Sequence, residues 1–389
     1  MNPRHLASGI ALALLLPGIA ACTDNSAPRG SAEGGDDRSI SVTSSDEECE
    51  VSSAKVPEGA LTFHVENAGT KVTEFYLLAE DGQRIIGEVE NIGPNLTRDL
   101  VVDVAAGSYK TACKPGMVGE GIRDDFAVAK AEGTSVDAGD RASVDRAEKS
   151  YATYVKDQSD QLRTKTGKFV SLYESGKDDE ARELYAEARV HWERIETVAE
   201  SFGDLDPKMD AREADLEPGQ RWTGWHRIEK DLWPKEAKDY TPLTDAQRAT
   251  YGQDLLKNTK TLDGRIQKMD FTVDQIANGS RGLLEEVATG KVTGEEEIWS
   301  HTDLWDFQAN VDGAKVGYDG VRPLVQKEDK DLARQLDARF AELQKLLDQH
   351  RKGDGFVLYT ELSTSETKEL SDAVNALSEP LSKLTAAVV

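Results

Sequence analysis

Two hydrophobic periods divide the chain. From residue 39 to about 136, apolar residues alternate with polar ones in short runs that stop at turn residues. Ala60-Leu-Thr-Phe-His-Val65 runs into Glu66-Asn-Ala-Gly69, and Val72-Thr-Glu-Phe-Tyr-Leu-Leu78 into Glu80-Asp-Gly82. Leu100-Val-Val-Asp-Val104 and Tyr109-Lys-Thr-Ala-Cys113 follow, closed by Ala106-Gly107 and Lys114-Pro-Gly116. Strands at this spacing, over roughly a hundred residues, predict a β-sandwich. Residues 136–145 form a short polar joint, and beyond it the apolar positions recur at helical spacing to the end. The pattern predicts helices over 144–175, 178–202, 219–233, 244–278, 279–289, 298–317, 327–351 and 364–387. Gly203, Pro207, Pro218, Pro234, Gly290, Gly294, Pro323 and Gly353 fall at or between their ends, as breakers should. Residues 145–389 therefore predict an all-α bundle of about 245 residues, enough for a substantial core.

One stretch breaks the rule that charge stays off the apolar face. Trp222-Thr-Gly-Trp225-His226-Arg-Ile-Glu229-Lys-Asp-Leu232-Trp233 holds three of the six tryptophans. On a helix, Trp222, Trp233 and Glu229 fall within about 60° of His226, and Trp225 and Leu232 lie further round the same side. His226 and Glu229 are three apart and hence neighbours within the apolar stripe. A buried carboxylate is costly unless it is paired or bound to a cation. The pair therefore reads either as a private ion pair or as part of a metal site.

Other acids and imidazoles lie around it in sequence. His191 sits in the stripe Leu184, Ala188, Ile195 and Val198, where a hydrogen-bonded core histidine is the plain reading. Glu193 and Glu196 lie about 200° and 140° from it. Glu196 borders a second apolar strip, whereas Glu193 taken alone points to solvent and becomes interior only if the helix is packed on two sides. Glu200-Ser-Phe-Gly-Asp-Leu-Asp-Pro-Lys-Met-Asp210 is dense in carboxylates, and Glu285-Glu286 and Glu295-Glu-Glu297 follow later. The last two runs also fit solvated or helix-start charges.

The charge balance is 72 acidic against 47 basic side chains, a formal −25. Nucleic acid is excluded as a partner, because phosphate binding needs a basic patch and none is visible. Residues 1–21 read as an export signal: Arg4, then Ile10-Ala-Leu-Ala-Leu-Leu-Leu16, then Ile19-Ala20-Ala21 before Cys22. The apolar run is too short to span a bilayer. Small residues directly before a cysteine resemble the lipobox of bacterial lipoproteins, which implies cleavage before Cys22, lipid attachment to its sulfur, and an anchor on the outer face of the cytoplasmic membrane. Residues 22–38 then form a Ser/Gly/Asp-rich tether. The remaining cysteines, Cys49 and Cys113, would by default pair in an exported protein.

Cys113 and Met117, four apart around Pro115-Gly116, resemble the copper-ligand loop of cupredoxins. The strand order and final Cys loop are similar to the cupredoxin domain of EfeO-type iron-uptake lipoproteins. That resemblance implies Cys49, Glu74 and Cys113 as metal ligands, with Met117 as a fourth. No histidine stands in the Cys113 loop, and His64 lies within a strand, so a blue-copper His₂Cys site is excluded. A Cys/Glu metal site, a Cys49–Cys113 disulfide and alternation between them all stay open.

His191-Trp-Glu-Arg-Ile-Glu196, Glu200-Ser-Phe-Gly-Asp-Leu-Asp206, Trp222-Thr-Gly-Trp-His-Arg-Ile-Glu229 and Ser300-His-Thr-Asp-Leu-Trp-Asp-Phe-Gln-Ala-Asn310 resemble, in order, the blocks of the imelysin-like domain of the same family. The family's His-x-x-Glu motif falls on His226 and Glu229. Its metal-site carboxylates fall on Glu193, Glu196 and Asp210, with Glu286 as the choice from the later helices. The resemblance implies an anchored component of a high-affinity ferrous uptake system that works with a membrane permease and a haem peroxidase. It implies that the β-domain takes or oxidises ferrous iron and that the helical domain holds it for the permease.

A site of several carboxylates with one or two imidazoles suits Fe²⁺ or Fe³⁺ better than Cu⁺, with zinc as an alternative; the softer β-domain set could hold Cu²⁺ or Fe²⁺. The rival reading is an extracytoplasmic metallopeptidase, since imelysin-like domains are grouped with peptidases. A zinc peptidase needs three protein ligands, an open water position and a general base. The His-Glu-x-x-His signature is absent, which weighs against it. An anchored binder of an acidic polysaccharide is disfavoured by the negative surface, formally −26 once residues 1–21 and their one arginine are removed.

Overall fold

The computed structural model describes residues 38–130, 138–216 and 219–389, so the export signal, Cys22 and most of the tether lie outside the described residues. Among the described residues the alternating segment folds into nine strands: β1 (Ser39–Ser44), β2 (Cys49–Val51), β3 (Lys55–Pro57), β4 (Gly59–Asn67), β5 (Thr73–Ala79), β6 (Ile85–Ile92), β7 (Thr97–Val104), β8 (Gly107–Cys113) and β9 (Ile122–Ala129). They make two sheets, ordered β2-β1-β4-β7 and β3-β9-β8-β5-β6, with β1/β4 and β3/β9 parallel and the other pairs antiparallel. Period two sets the filling: Leu61, Phe63 and Val65 of β4 and Leu100, Val102 and Val104 of β7 point inward against Phe75, Leu77 and Phe126. Cys49 and Cys113 join the two sheets in a disulfide, with Cα atoms 5.5 Å apart. Of the readings left open for these cysteines, this is the one the structure adopts.

β5 is buried along nearly its whole length. Phe75 and Leu77 face the sandwich, whereas Glu74, Tyr76 and Leu78 face the other way, towards the helices. Phe75 stands opposite Cys113 in the ladder, which puts Cys113 on the core side and Glu74 on the opposite side. Glu74 instead accepts a hydrogen bond from the Tyr76 hydroxyl at 2.7 Å and lies 3.6 Å from Lys114 Nζ. Met117 is 43% exposed. The expected set Cys49, Glu74, Cys113 and Met117 is thus not assembled: the sulfurs are bonded to each other and the sheet's pleat turns Glu74 away.

Among the described residues the second period gives ten α-helices: α1 (Ala138–Glu174), α2 (Asp178–Glu193), α3 (Glu196–Glu200), α4 (Asp206–Met209), α5 (Trp225–Leu232), α6 (Asp245–Ile266), α7 (Val273–Thr289), α8 (Asp303–Glu328), α9 (Lys330–Gln349) and α10 (Thr364–Leu381). Two long expected helices are broken. The one over 178–202 stops at Glu193, and Ile195 leaves helical geometry (φ −125°, ψ 17°) before α3 starts. The one over 244–278 stops at Ile266, and α7 opens where the Thr272 amide is capped by Gln275 Oε1 at 3.1 Å. Conversely, Pro323 lies inside α8, where buried Val321, Leu324 and Val325 hold the helix in the core. α2 packs against both α1 and α8, so it is covered on two sides.

The sandwich and the bundle form one compact unit. Asp274 of α7 accepts from the Asp103 amide at 3.0 Å, and Asn278 donates to the Val101 carbonyl at 2.9 Å. The Ile85 amide donates to Ser201 at 3.1 Å, and Arg98 pairs with Glu285 at 2.7 Å. Between the outer face of the β5/β6 sheet edge and the α3–α4 segment lies a cleft of about 690 Å³.

Candidate metal centre

The centre is built where the expected long helix breaks. α2 ends on Arg189, Trp192 and Glu193, all fully buried because the helix runs between α1 and α8. The chain breaks at Arg194-Ile195, and Glu196, the first residue of α3, still lies beside Glu193. Glu193, expected at the solvent if taken alone, is therefore interior.

α4 and α5 bring in the imidazole. Asp210 caps the C-terminus of α4, and its Oδ2 accepts from Trp192 Nε1 at 2.7 Å. α5 starts at Gly224, whose φ of +92° is open chiefly to glycine. A β-carbon there would lie 2.2 Å from the Met209 carbonyl oxygen, so the two helix ends touch only because none is present. The expected helix over 219–233 accordingly begins only at Trp225. His226 follows two residues after Gly224, 1% exposed. Its Nδ1 is 3.4 Å from Glu229 Oε2, while Nε2 faces Glu296 Oε1 at 3.2 Å and Asp210 Oδ1 at 3.5 Å without an aligned hydrogen bond to either. Glu229 is fixed by the amides of Trp299 and Ser300, at 3.0 and 2.7 Å to its Oε1.

The loop before α8 supplies what the sequence reading undervalued. Glu296 and Glu297 are buried rather than solvated, and Asp306 joins them from the first turns of α8. Glu297 accepts from the Tyr185 hydroxyl at 3.1 Å and from Ser300 at 2.9 Å. Two cations thread the acids. Arg189 touches Glu193 (2.7 Å), Glu296 (2.8 Å), Glu297 (2.6 Å), Asp306 (3.4 Å) and, closest of all, Asp210. Lys291 lies 2.5 Å from both Glu193 and Glu196. Neither was expected, although Arg189 stands four residues before Glu193 on one helix face. Glu286 goes elsewhere: it meets Glu196 and Glu200, away from His226. His191 hydrogen-bonds Gln158 at 2.8 Å, and burial pushes its imidazole down to about 4, as befits a core histidine.

Seven acids (Glu193, Glu196, Asp210, Glu229, Glu296, Glu297 and Asp306) thus crowd around two permanent cations and one imidazole. Buried anions in such excess are not tolerable as such. Burial, together with the charges of Glu193 and Glu229 respectively, raises Glu196 and Glu297 well above the usual carboxylate range. Burial and the Arg189 charge oppose protonation of His226, but the neighbouring carboxylates of Glu229, Glu296 and Asp210 outweigh them and push it up to about 10, so a metal ion bound to this imidazole would take the place of its proton. Two ligand trios stand ready within 4.8 Å: His226 with Asp210 and Glu296, and His226 with Glu229 and Glu297. The unpartnered Nε2 of a buried histidine, facing two carboxylates, fits a cation bound there.

The imelysin family model matches residues 147–384, and that of the cupredoxin-like domain residues 11–122. An Efem/EfeO family lipoprotein of Staphylococcus haemolyticus (strain JCSC1435) is 44% identical over 63% of this chain and 84% of its own length. The chain belongs to the Efem/EfeO family of lipoproteins. A Staphylococcus aureus (strain MRSA252) Efem/EfeO lipoprotein is 42% identical over 64% of this chain and 87% of its own length. The expected order, a cupredoxin-like β-domain followed by an imelysin helical domain, is the one found in this Efem/EfeO lipoprotein. Among the described residues no helix is long and apolar enough to cross a membrane.

Proposed function

We propose that this lipoprotein binds iron in the buried centre of its helical domain and passes it to a membrane permease in a high-affinity ferrous uptake system, alongside a haem peroxidase. Cys22 carries the lipid that holds it at the outer face of the cytoplasmic membrane. The observation that carries the reading is His226: its buried Nε2 faces Asp210 and Glu296 without a hydrogen bond, amid more carboxylates than cations. An imidazole with hard oxygen ligands favours Fe²⁺ or Fe³⁺, with Zn²⁺ as a competitor, over Cu⁺.

The chain's residues have separate tasks. Glu229, pinned by two amides, orients His226 through Nδ1. Arg189 holds five acids close enough to converge and limits the charge the cargo must neutralise. With Cys49 and Cys113 bonded to each other, the β-domain offers the cargo carboxylates rather than thiolates. The test is calorimetric titration of the purified protein with Fe²⁺ under anaerobic conditions, Fe³⁺, Cu²⁺ and Zn²⁺. Iron should bind the wild type, and His226→Ala/Glu229→Ala should lose that binding. Unchanged iron binding by the double variant would remove the assigned site, and metal-dependent cleavage of peptides would favour the metallopeptidase reading.

A further inference from the structure

The acid groups of the helical domain share members and so form a ladder. Glu286, Glu200 and Glu196 each bring an oxygen within 4.8 Å of the other two; Glu196 does the same with Glu193 and Asp210, and Asp210 with His226 and Glu296. Its outer end opens between the domains, where Glu200 and Glu286 line a cavity with Glu88 and Glu90 of β6. Its inner end is His226, sealed from solvent. Carboxylates spaced this closely are successive landing points for a cation.

One group interrupts the ladder. The Lys291 ammonium sits at the step between Glu196 and Glu193, 2.5 Å from an oxygen of each, with the Asn310 amide donating to the same two oxygens at 2.9 and 3.2 Å. Lysine is the apt residue for a reversible occupant, a compact charge on a flexible four-carbon stem. Arg189 differs: its planar fork is held by five acids at once. The turn that carries Lys291 (Lys291–Thr293) is clamped, since Tyr359 packs on Gly294 and its hydroxyl binds the Val292 carbonyl. Only the side chain is therefore placed to move. The charge of Glu286, which lines the cavity at the outer end, also acts on it, so a displaced ammonium has an acidic neighbour on that side.

We propose that Lys291 is a displaceable counter-cation: in the unloaded protein it fills the position between Glu193 and Glu196, and a cargo cation arriving by way of Glu286, Glu200 and Glu196 must evict it to reach His226. This rests on the metal-binding reading above and adds a residue that lowers affinity so that cargo can be released. An immobile structural counter-ion would make different predictions. Removing a displaceable cation tightens metal binding, whereas removing a structural one only loosens the fold.

The experiment compares wild type with Lys291→Met, Lys291→Gln and Lys291→Arg, using Zn²⁺ and anaerobic Fe²⁺ as probes. Affinity comes from calorimetry, release rates from chelator chase, and melting temperature is read with and without Zn²⁺. Lys291→Met and Lys291→Gln should bind at least tenfold tighter (about 1.4 kcal/mol). They should release metal more slowly, and their metal-free forms should melt lower, with a larger Zn²⁺-induced rise than wild type. Lys291→Arg should bind no tighter than wild type. Should the neutral variants fold only when Zn²⁺ is present, that rescue counts in favour; failure to fold even with Zn²⁺ counts against. Wild-type or weaker affinity in folded neutral variants overturns the proposal. The arms separate the two readings. Absence of metal binding by wild type defeats the proposed function and this inference together, whereas binding that depends on His226 and Glu229 but ignores Lys291 defeats this inference alone.

Discussion

At the scale of single residues, the centre depends on groups that cannot be moved by an ångström. His226→Ala removes the imidazole and leaves Glu229, Asp210 and Glu296 without their shared neighbour. With Glu229→Ala added, Zn²⁺ affinity should fall by more than about 100-fold, since both the ligand and the group that orients it are gone; isothermal titration checks this. Gly224 reaches the same site through the backbone. Gly224→Ala forces a residue at φ +92° and pushes a methyl group into the Met209 carbonyl. It should cost about 1–3 kcal/mol from the backbone conformation alone. It should also separate α5 from Asp210, so that denaturant stability and metal affinity fall together. His226 and Glu229 were legible in the sequence because an imidazole and a carboxylate among tryptophans defy the apolar pattern. Glu296, Glu297 and Asp306 were not, because acids at the start of a helix usually serve its dipole. Lys291 was missed for a related reason, since a cation paired only in three dimensions leaves no local mark, whereas Arg189 did carry one in its four-residue spacing to Glu193.

At the scale of elements, period gave the kinds of structure but not where they stop. The run 178–202 keeps its apolar repeat across Arg194-Ile195, so nothing in it announces the break between Glu193 and Glu196. Both carboxylates meet Lys291 across that break, but on an unbroken helix they would also be neighbours, so their pairing gives no sign of it. The break before α7 has a local mark in the capping-box spacing of Thr272 and Gln275, which the apolar period alone does not register. In the β-domain, alternation placed Cys113 at a strand end, yet ligand geometry depended on the pleat, which puts Glu74 and Cys113 on opposite faces. The disulfide joins residues 64 apart in sequence and bridges the two sheets. Cys49→Ser/Cys113→Ser should therefore lower stability by about 4 kcal/mol through the released loop, read by denaturant unfolding. Because neither sulfur belongs to the helical centre, its metal affinity should be unchanged.

At the scale of the whole molecule, the two domains meet in part across acid. Glu88 and Glu90 of β6 line the cleft with Glu200 and Asp206 of the bundle. Burial, then the charges of Glu74 and Glu286, pushes Glu88 up to about 7; burial, then Glu88 and Glu74, pushes Glu90 up to about 9. Burial and the Asp210 charge push Asp206 up to about 7. These are carboxyls whose protons are held more tightly when folded than when unfolded. The folded state therefore binds more protons between the ordinary carboxylate range and about 9, and stability must fall as pH rises through that window. The metal-free protein should accordingly melt highest near the acid end of the range from pH 5 to 9 and lowest at its alkaline end. Glu88→Gln/Glu90→Gln should flatten that dependence, since an amide carries no charge to repel the acids of α3 and α4. A divalent cation should act in the same direction, and most strongly at high pH where the acids are ionised. A melting temperature that stays level with pH in the wild type, or that Zn²⁺ raises equally at pH 5 and pH 9, would mean that the interdomain acids are already neutralised by groups of the protein itself.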